Sequence, residues 1–386
     1  MKTSSTHPYL CILLAATLPC LVSALPADVL RKLKLDSDNK YAGYKVLAVI
    51  PNSEDEVAWL ADYKKTAPGT GNCSLDWWSE PSLSTATVSL AVNPGCVDDL
   101  VQEFRSVGLS VRTTIPDLEQ LIALEKNYRF LSQLYRDPYK WNDEVYHSLA
   151  EIEDHIDYLV EEYPQLLSKK QLATTYEGRK IEVVIIREPG PVTKPVIWID
   201  CGIHAREWVS PPTCMHAIEQ LIFAVNSVDP AEKNLMALFD FYILPVANPD
   251  GYVYSWTKDR MWRKNRRPIA ASEKQGVSLW GGWGQSNAKC DYGVDPNRNF
   301  PINFHGEGAS KNPCDDSYHG TQPFTEAESQ AIRNGVEIMH EQYGKGRVAA
   351  FVSIHAYSQF WMSPYGECIF LVSRLLYNFT CPSETV

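Results

Sequence analysis

The chain has 386 residues and a formal net charge of −11, and at roughly 150 residues per domain it predicts two or three domains. Hydrophobic residues make up 45% and charged residues 22%, ordinary usage that excludes a wholly disordered, collagen-like or coiled-coil chain. The acidic balance argues against nucleic-acid binding, which needs a basic face.

The N-terminus has the three parts of a signal peptide. Lys2 is the positive start, Leu10 to Val22 is an apolar run, and Val22-Ser23-Ala24 offers small residues for cleavage. The run is shorter than the roughly 20 residues of a spanning helix, and no later run is longer. Residues 1–24 are therefore expected to be a signal peptide, and the protein to be secreted and extracellular with no membrane span. Ten cysteines are present, and eight remain after residue 24. In an oxidising compartment these pair, and neighbouring order suggests Cys73–Cys96, Cys201–Cys214 and Cys290–Cys314. Asn72-Cys73-Ser74 and Asn378-Phe379-Thr380 are glycosylation sequons, meaningful only in a secreted chain.

Residues 25 to about 113 read as a small α+β unit. Strands are expected at Tyr44–Ile50, Leu75–Trp78, Thr85–Val92 and Ser110–Thr113, and helices at Glu54–Lys65 and Cys96–Val107. Val97, Leu100, Val101 and Phe104 fall on one helical face. The order strand-helix-strand-strand-helix-strand is that of a ferredoxin-like module. Ile115 to about Leu134 then reads as one long amphipathic helix. It carries Lys126 and Arg129 and runs toward Arg136, as a protease-sensitive connector would.

From about Asp137 strands alternate with helices. Helices are expected at Ser148–Tyr163, Pro211–Ser227 and Glu326–Gln342. Strands are expected at Leu172–Tyr176, Ile181–Ile186, Val196–Asp200, Phe241–Val246 and Val348–Ser353. Such alternation favours an α/β unit with a mixed sheet covered by helices. Gly276 to Gln285 is a Gly/Trp-rich loop.

His204-Ala205-Arg206-Glu207 directly follows the buried strand VIWID. Active residues of open α/β sheets gather at the carboxyl ends of strands. The i, i+3 spacing lets His204 and Glu207 reach one metal ion, and a catalytic zinc takes three protein ligands plus water. Spacing alone is a weak signal, because His216-Ala217-Ile218-Glu219 repeats it inside an amphipathic helix, where it reads as an ordinary pair of helix residues. His355 also lies just past a buried strand and would complete a His₂Glu set. Arg260 to Arg267 is a basic run with one Trp, and Asp295-Pro296-Asn297-Arg298-Asn299 places Asn and Arg together in a turn. Arginine grips carboxylates through a bidentate fork, and beside a metal it can stabilise an oxyanion.

HAREW, NPDGY, RMWRKNR, GVDPNRNF, PCDDSYHG, FTEAE and SIHAYSQ occur in this order. Together they resemble the zinc metallocarboxypeptidases of the A/B (M14) family, from about Tyr139 to Gly366. The N-terminal module and its helix resemble that family's inhibitory propeptide. The resemblance implies that His204, Glu207 and His355 ligate zinc and that Arg263 polarises the scissile carbonyl. It implies that Asn297 and Arg298 hold the substrate's terminal carboxylate, with Arg206 and Tyr357 lining neighbouring subsites. Cys290–Cys314 matches a family disulfide, and Cys201–Cys214 one found in some members. The implied partners are peptide or protein C-termini as substrate and a trypsin-like activating protease cutting after Arg136, with Arg129 as runner-up. The implied assembly is a monomer.

The expected organisation is a signal peptide at 1–24, a propeptide with its connector at 25–136, and a catalytic domain at 137–366. A tail at 367–386 does not continue the family's pattern. The family's glutamate general base has no matching position there, so this chain is expected to be catalytically impaired. A non-catalytic secreted protein that binds zinc or peptides is the alternative.

Overall fold

The computed structural model describes residues 40–66, 73–79, 81, 83, 87–134, 141–143, 145–190, 192–274, 288–306, 308–357 and 362. The signal peptide, Asn72, the loop at 276–285, Arg136 and the tail at 367–386 lie outside the described residues.

The first unit runs β1 (Lys45–Ile50), α1 (Glu54–Thr66), β2 (Leu75–Trp77), β3 (Val88–Val92), α2 (Val97–Ser106), β4 (Ser110–Ile115) and α3 (Leu118–Leu134). Its sheet has the order β2-β3-β1-β4, with every pairing antiparallel. This is the ferredoxin-like arrangement. One sheet face buries Leu47, Val49, Leu90 and Val111 against Leu60 of α1 and Leu100 and Phe104 of α2. The other packs Val46 and Ala91 on Leu118 and Ile122 of α3, with Met261 of the second unit at its margin.

The connector helix begins at Leu118 rather than at the expected Ile115. Ile115 precedes Pro116, and the proline ring disfavours helical geometry in the residue before it. Ile115 is instead the last residue of β4.

The second unit runs α4 (Leu149–Glu162), β5 (Leu167–Thr174), β6 (Lys180–Ile186), β7 (Val196–Cys201), α5 (Ser210–Ala224), α6 (Pro230–Leu238), β8 (Asp240–Leu244), α7 (Pro249–Thr257), α8 (Ala288–Asp291), α9 (Ala327–Tyr343) and β9 (Val348–Ile354). The sheet order is β5-β6-β8-β7-β9. β5, β6 and β8 pair antiparallel, while β7 runs parallel to both β8 and β9. This is the expected mixed sheet, and helices cover both faces. Leu149, Ile152, Met215 and Ile218 of α4 and α5 pack on one side. Ala331, Ile332 and Met339 of α9 pack on the other, against Trp198 and Tyr242. Gly335 permits that contact, since a Cβ there would lie 2.4 Å from the Trp198 ring.

Local chemistry sets the element ends. Ser148 and Glu151 form a reciprocal capping box at the start of α4, which satisfies amides that have no partner within the helix. β5 begins at Leu167, not at the expected Leu172. Its early residues, Ser168 to Gln171, are exposed, so this edge strand lacks the apolar alternation that marks a half-buried one. α6 and α7 escape the hydrophobic pattern altogether. Each opens with a capping side chain followed by proline, Asp229-Pro230 and Asn248-Pro249, and proline suits the first helical position.

Cys73–Cys96, Cys201–Cys214 and Cys290–Cys314 are paired. No described helix is long and apolar enough to cross a membrane.

Candidate functional site

β7 and β9 run side by side and end together, with Cys201 opposite Ile354. Past those ends lie His204 and Glu207 on one segment and His355 on the other. The backbone of the first segment is pinned from two directions. Asn248 donates through Nδ2 to the carbonyls of Ile203 (3.2 Å) and Lys264 (3.1 Å). The amide of Ala205 donates to the carbonyl of Arg263 at 3.0 Å. The Asn248 cap of α7 therefore ties the histidine turn to the arginine run.

His204, Glu207 and His355 are a group of three side chains able to hold one metal ion. Glu207 Oε1 lies 2.8 Å from His204 Nδ1, and Glu207 Oε2 lies 3.1 Å from His355 Nδ1. The two Nδ1 atoms are 3.1 Å apart. Ligands about 2.0–2.1 Å from a tetrahedral zinc stand about 3.3 Å from one another, so the donor set fits that ion. Two imidazoles and a carboxylate also match zinc's preference for nitrogen and oxygen donors.

The outward nitrogens of both rings are held. His204 Nε2 meets Asp295 Oδ1 at 3.1 Å. His355 Nε2 lies 3.3 Å from Ser353 Oγ, which itself donates to Asp200 at 2.7 Å. Such outer partners orient a ligand ring and raise its basicity. Burial alone would raise the Glu207 carboxyl, but His204 and His355 hold it well below the usual carboxylate range. Burial likewise opposes ionisation of Asp295, yet Arg263 and His204 keep it well below that range.

Asp295 is the residue that pattern reading passes over. Its Oδ1 also accepts from the amide of Asn297 at 2.9 Å, capping the short turn Pro296–Arg298. Its Oδ2 accepts from Arg263 Nη2 at 2.9 Å. One buried carboxylate thus fixes a histidine, an arginine and the Asn297 turn. An aspartate just before Pro-Asn, at a position suited to capping, was the only sequence signal for it.

Arg263 Nη1 stands 3.5 Å from Glu207 Oε1, so its guanidinium edges the three-residue group. The Asn297 side chain lies 3.4 Å from His355 Nε2. Arg298 donates to the carbonyls of Gly308 (2.9 Å) and Asn297 (3.1 Å). Among the described residues no carboxylate forms an ion pair with it.

Arg206 differs. It donates to Asp76 Oδ2 of the first unit and to Asp316 Oδ2, both at 3.1 Å. Trp78 of the first unit meets the Tyr357 ring edge-on at 6.4 Å. Asp76 of β2 and Trp78 just past it therefore lie over the outer part of the site. Arg260 forks onto Glu125 of α3 at 2.6 and 3.0 Å, and Tyr41 donates to Asp259 at 2.5 Å. Farther along α3, Arg129 pairs with Glu151 at 2.7 Å and lies over the Trp256 ring.

The second His-Glu pair is not drawn together. His216 meets Asp143 at 3.1 Å, and Glu219 meets His155 at 2.8 Å.

Comparison with known proteins agrees with this geometry. Residues 152–380 match the zinc carboxypeptidase family model, and residues 47–125 match the carboxypeptidase activation peptide. The first match continues past Gly366, where the quoted motifs end. Carboxypeptidase A2 of Mus musculus is 36% identical over 326 residues, covering 84% of this chain and 71% of the relative. Carboxypeptidase A1 of Sus scrofa is 33% identical, with the same coverage of each chain. The crystal structure of the carboxypeptidase A from Helicoverpa armigera superposes with a TM-score of 0.68 at 27% identity, covering 82% of this chain and 71% of that one. The thrombin activatable fibrinolysis inhibitor superposes with a TM-score of 0.62 at 29% identity, covering 81% and 71%. The chain belongs to the zinc carboxypeptidase family as a procarboxypeptidase of the A/B type, its activation peptide preceding its catalytic unit.

Proposed function

We propose that this secreted zymogen, once cut, removes the C-terminal residue of peptides and proteins. His204, Glu207 and His355 hold the zinc ion, which when bound supplies a Lewis acid for the scissile carbonyl and lowers the pKa of its water. The observation that carries the reading is a metal-fitting group beside an arginine that forms no ion pair with a carboxylate among the described residues. Arg298 and Asn297 bind the terminal carboxylate through charge-assisted hydrogen bonds. Arg263, held by Asp295, aims its guanidinium at the developing oxyanion. Arg206 and Tyr357 line the adjoining subsites.

The activation peptide inhibits by occupying those subsites. Asp76 supplies a carboxylate to Arg206 and Trp78 covers Tyr357, so a peptide substrate competes with both. A trypsin-like protease releases the block by cutting after Arg136. Arg129 is the second choice, since it lies within α3 and is paired with Glu151. The mature enzyme acts as a monomer.

A second reading is a secreted protein that binds zinc or peptides without cutting.

The deciding assay uses trypsin-treated protein with free and C-terminally blocked peptides, with and without a zinc chelator. Chelator-sensitive release of C-terminal amino acids from free peptides alone is the expected result, and it overturns the binding-only reading. Bound zinc with no turnover overturns the enzyme reading for this polypeptide. Sequencing the new N-terminus distinguishes Arg136 from Arg129.

A further inference from the structure

The segment after the Asn297–Arg298 turn carries a second pair of histidines. His319 is buried, and its Nδ1 donates to the carbonyl of Gly320 at 2.6 Å. A carbonyl can only accept, so the proton of the neutral ring sits on Nδ1 and the lone pair on Nε2. That Nε2 faces His305 Nδ1 at 3.2 Å. His305 itself is exposed. The Phe304 ring packs on both imidazoles, with centroids 4.7 and 4.6 Å away.

The 3.2 Å spacing is close to what two nitrogens bound to one ion require, about 3.3 Å for metal bonds of about 2.0–2.1 Å. It also matches the 3.1 Å between His204 and His355 in the catalytic group. The Gly320 carbonyl plays the part of an outer partner that fixes tautomer and ring orientation. Burial pushes the His319 ring pKa down, which keeps the imidazole in its neutral, ligating form. Among the described residues no carboxylate or thiol joins the pair to make a set of three. Two neutral nitrogens with the remaining positions open to water select a borderline ion over calcium or magnesium, and copper(II) ahead of zinc.

We propose that His305 and His319 form a second, two-nitrogen site for a borderline divalent cation, Cu²⁺ or Zn²⁺, beside the substrate-carboxylate arm. The site shares no residue with the group of His204, Glu207 and His355. Its occupancy would be felt nearby, because Asn299 donates to the His319 carbonyl at 2.9 Å and Arg298 donates to the Gly308 carbonyl at 2.9 Å. An ion joining the two histidines ties the loop that carries Gly308 to the segment that carries His319, and so stiffens the setting of Arg298.

The test is Cu²⁺ titration of the zinc-loaded full chain, followed by electron paramagnetic resonance, with zinc content measured in parallel. Wild type should take up Cu²⁺ without losing zinc and show coupling to imidazole nitrogen. His305→Ala, a change at an exposed position, should weaken that uptake about tenfold or more, while His216→Ala should leave it unchanged. Equal Cu²⁺ affinity in wild type and His305→Ala, or equal loss in His305→Ala and His216→Ala, would overturn the site.

Discussion

His204–Glu207 and His216–Glu219 present the same two side chains at the same spacing, and the fold treats them oppositely. The first pair sits in an irregular turn beyond the carboxyl end of β7, buried beneath the sheet edge. The second lies on α5, where His216 and Glu219 face Asp143 and His155 respectively. Three-residue spacing brings two side chains within reach of each other in either setting. What separates a group that fits a metal ion from a surface pair is convergence of other chain segments. β9 delivers His355, and the Pro296–Arg298 turn delivers Asp295.

The largest effect should come from removing that convergence. His355→Ala is expected to abolish stoichiometric zinc after dialysis, measured by atomic absorption, while His216→Ala retains it. Equal retention in both would erase the distinction between the pairs. Asp295→Asn probes the outer layer. It preserves shape but removes the charge that His204 and Arg263 share, so zinc affinity should fall about 10–100-fold in a competitive chelator titration. Glu219→Gln makes the corresponding charge change in the second pair and should leave zinc affinity unaltered.

The activation unit offers a milder test. Asp76→Ala removes its carboxylate from Arg206 but leaves Asp316 in place. The severed activation peptide should then inhibit the cut catalytic unit about tenfold less well, a cost of about 1.4 kcal/mol. Unchanged inhibition would place the block elsewhere along the contact, at Glu125–Arg260 or Tyr41–Asp259.

Much of this was legible in the sequence, and the reasons differ by residue. The ferredoxin-like order and the central strands were readable because their apolar residues repeat with the period of the element. His204, Glu207 and His355 could be gathered because each follows an apolar strand, and parallel strands end on one edge. Asp295 could not be weighted, because its role depends on two partners distant in sequence, His204 and Arg263. The edge strand β5 hid behind exposed polar residues, and α7 behind a run that begins Asn-Pro-Asp-Gly. Asp76 was invisible for another reason. Nothing local marks the aspartate of a short strand as the partner of an arginine in another domain.

The smallest effect extends the comparison to carboxylates that the fold buries without a matching cation. Glu207 and Asp295 are buried and held ionised by histidines and arginine. Glu328, at the start of α9, is buried and pushed up to about 8, chiefly by desolvation and also by the charge of Glu326. Asn265 Nδ2 donates to both glutamates, at 2.7 Å to Glu326 and 2.8 Å to Glu328, while of the two only Glu326 is also paired with Arg267. The folded state therefore holds a proton on Glu328 that the unfolded chain releases in the ordinary glutamate range. A raised acid contributes stability that is fully present below the unfolded pKa and is lost as pH rises through the folded one. Wild-type thermal stability should fall between about pH 5 and about pH 9 by more than that of Glu328→Gln, which keeps the shape and cannot ionise. The excess should be on the order of 1 kcal/mol or more, about 2–4 °C per kcal/mol in the melting midpoint. Parallel pH profiles for the two proteins would mean that Glu328 is already ionised in the fold, and that burial here is offset as it is around Asp295.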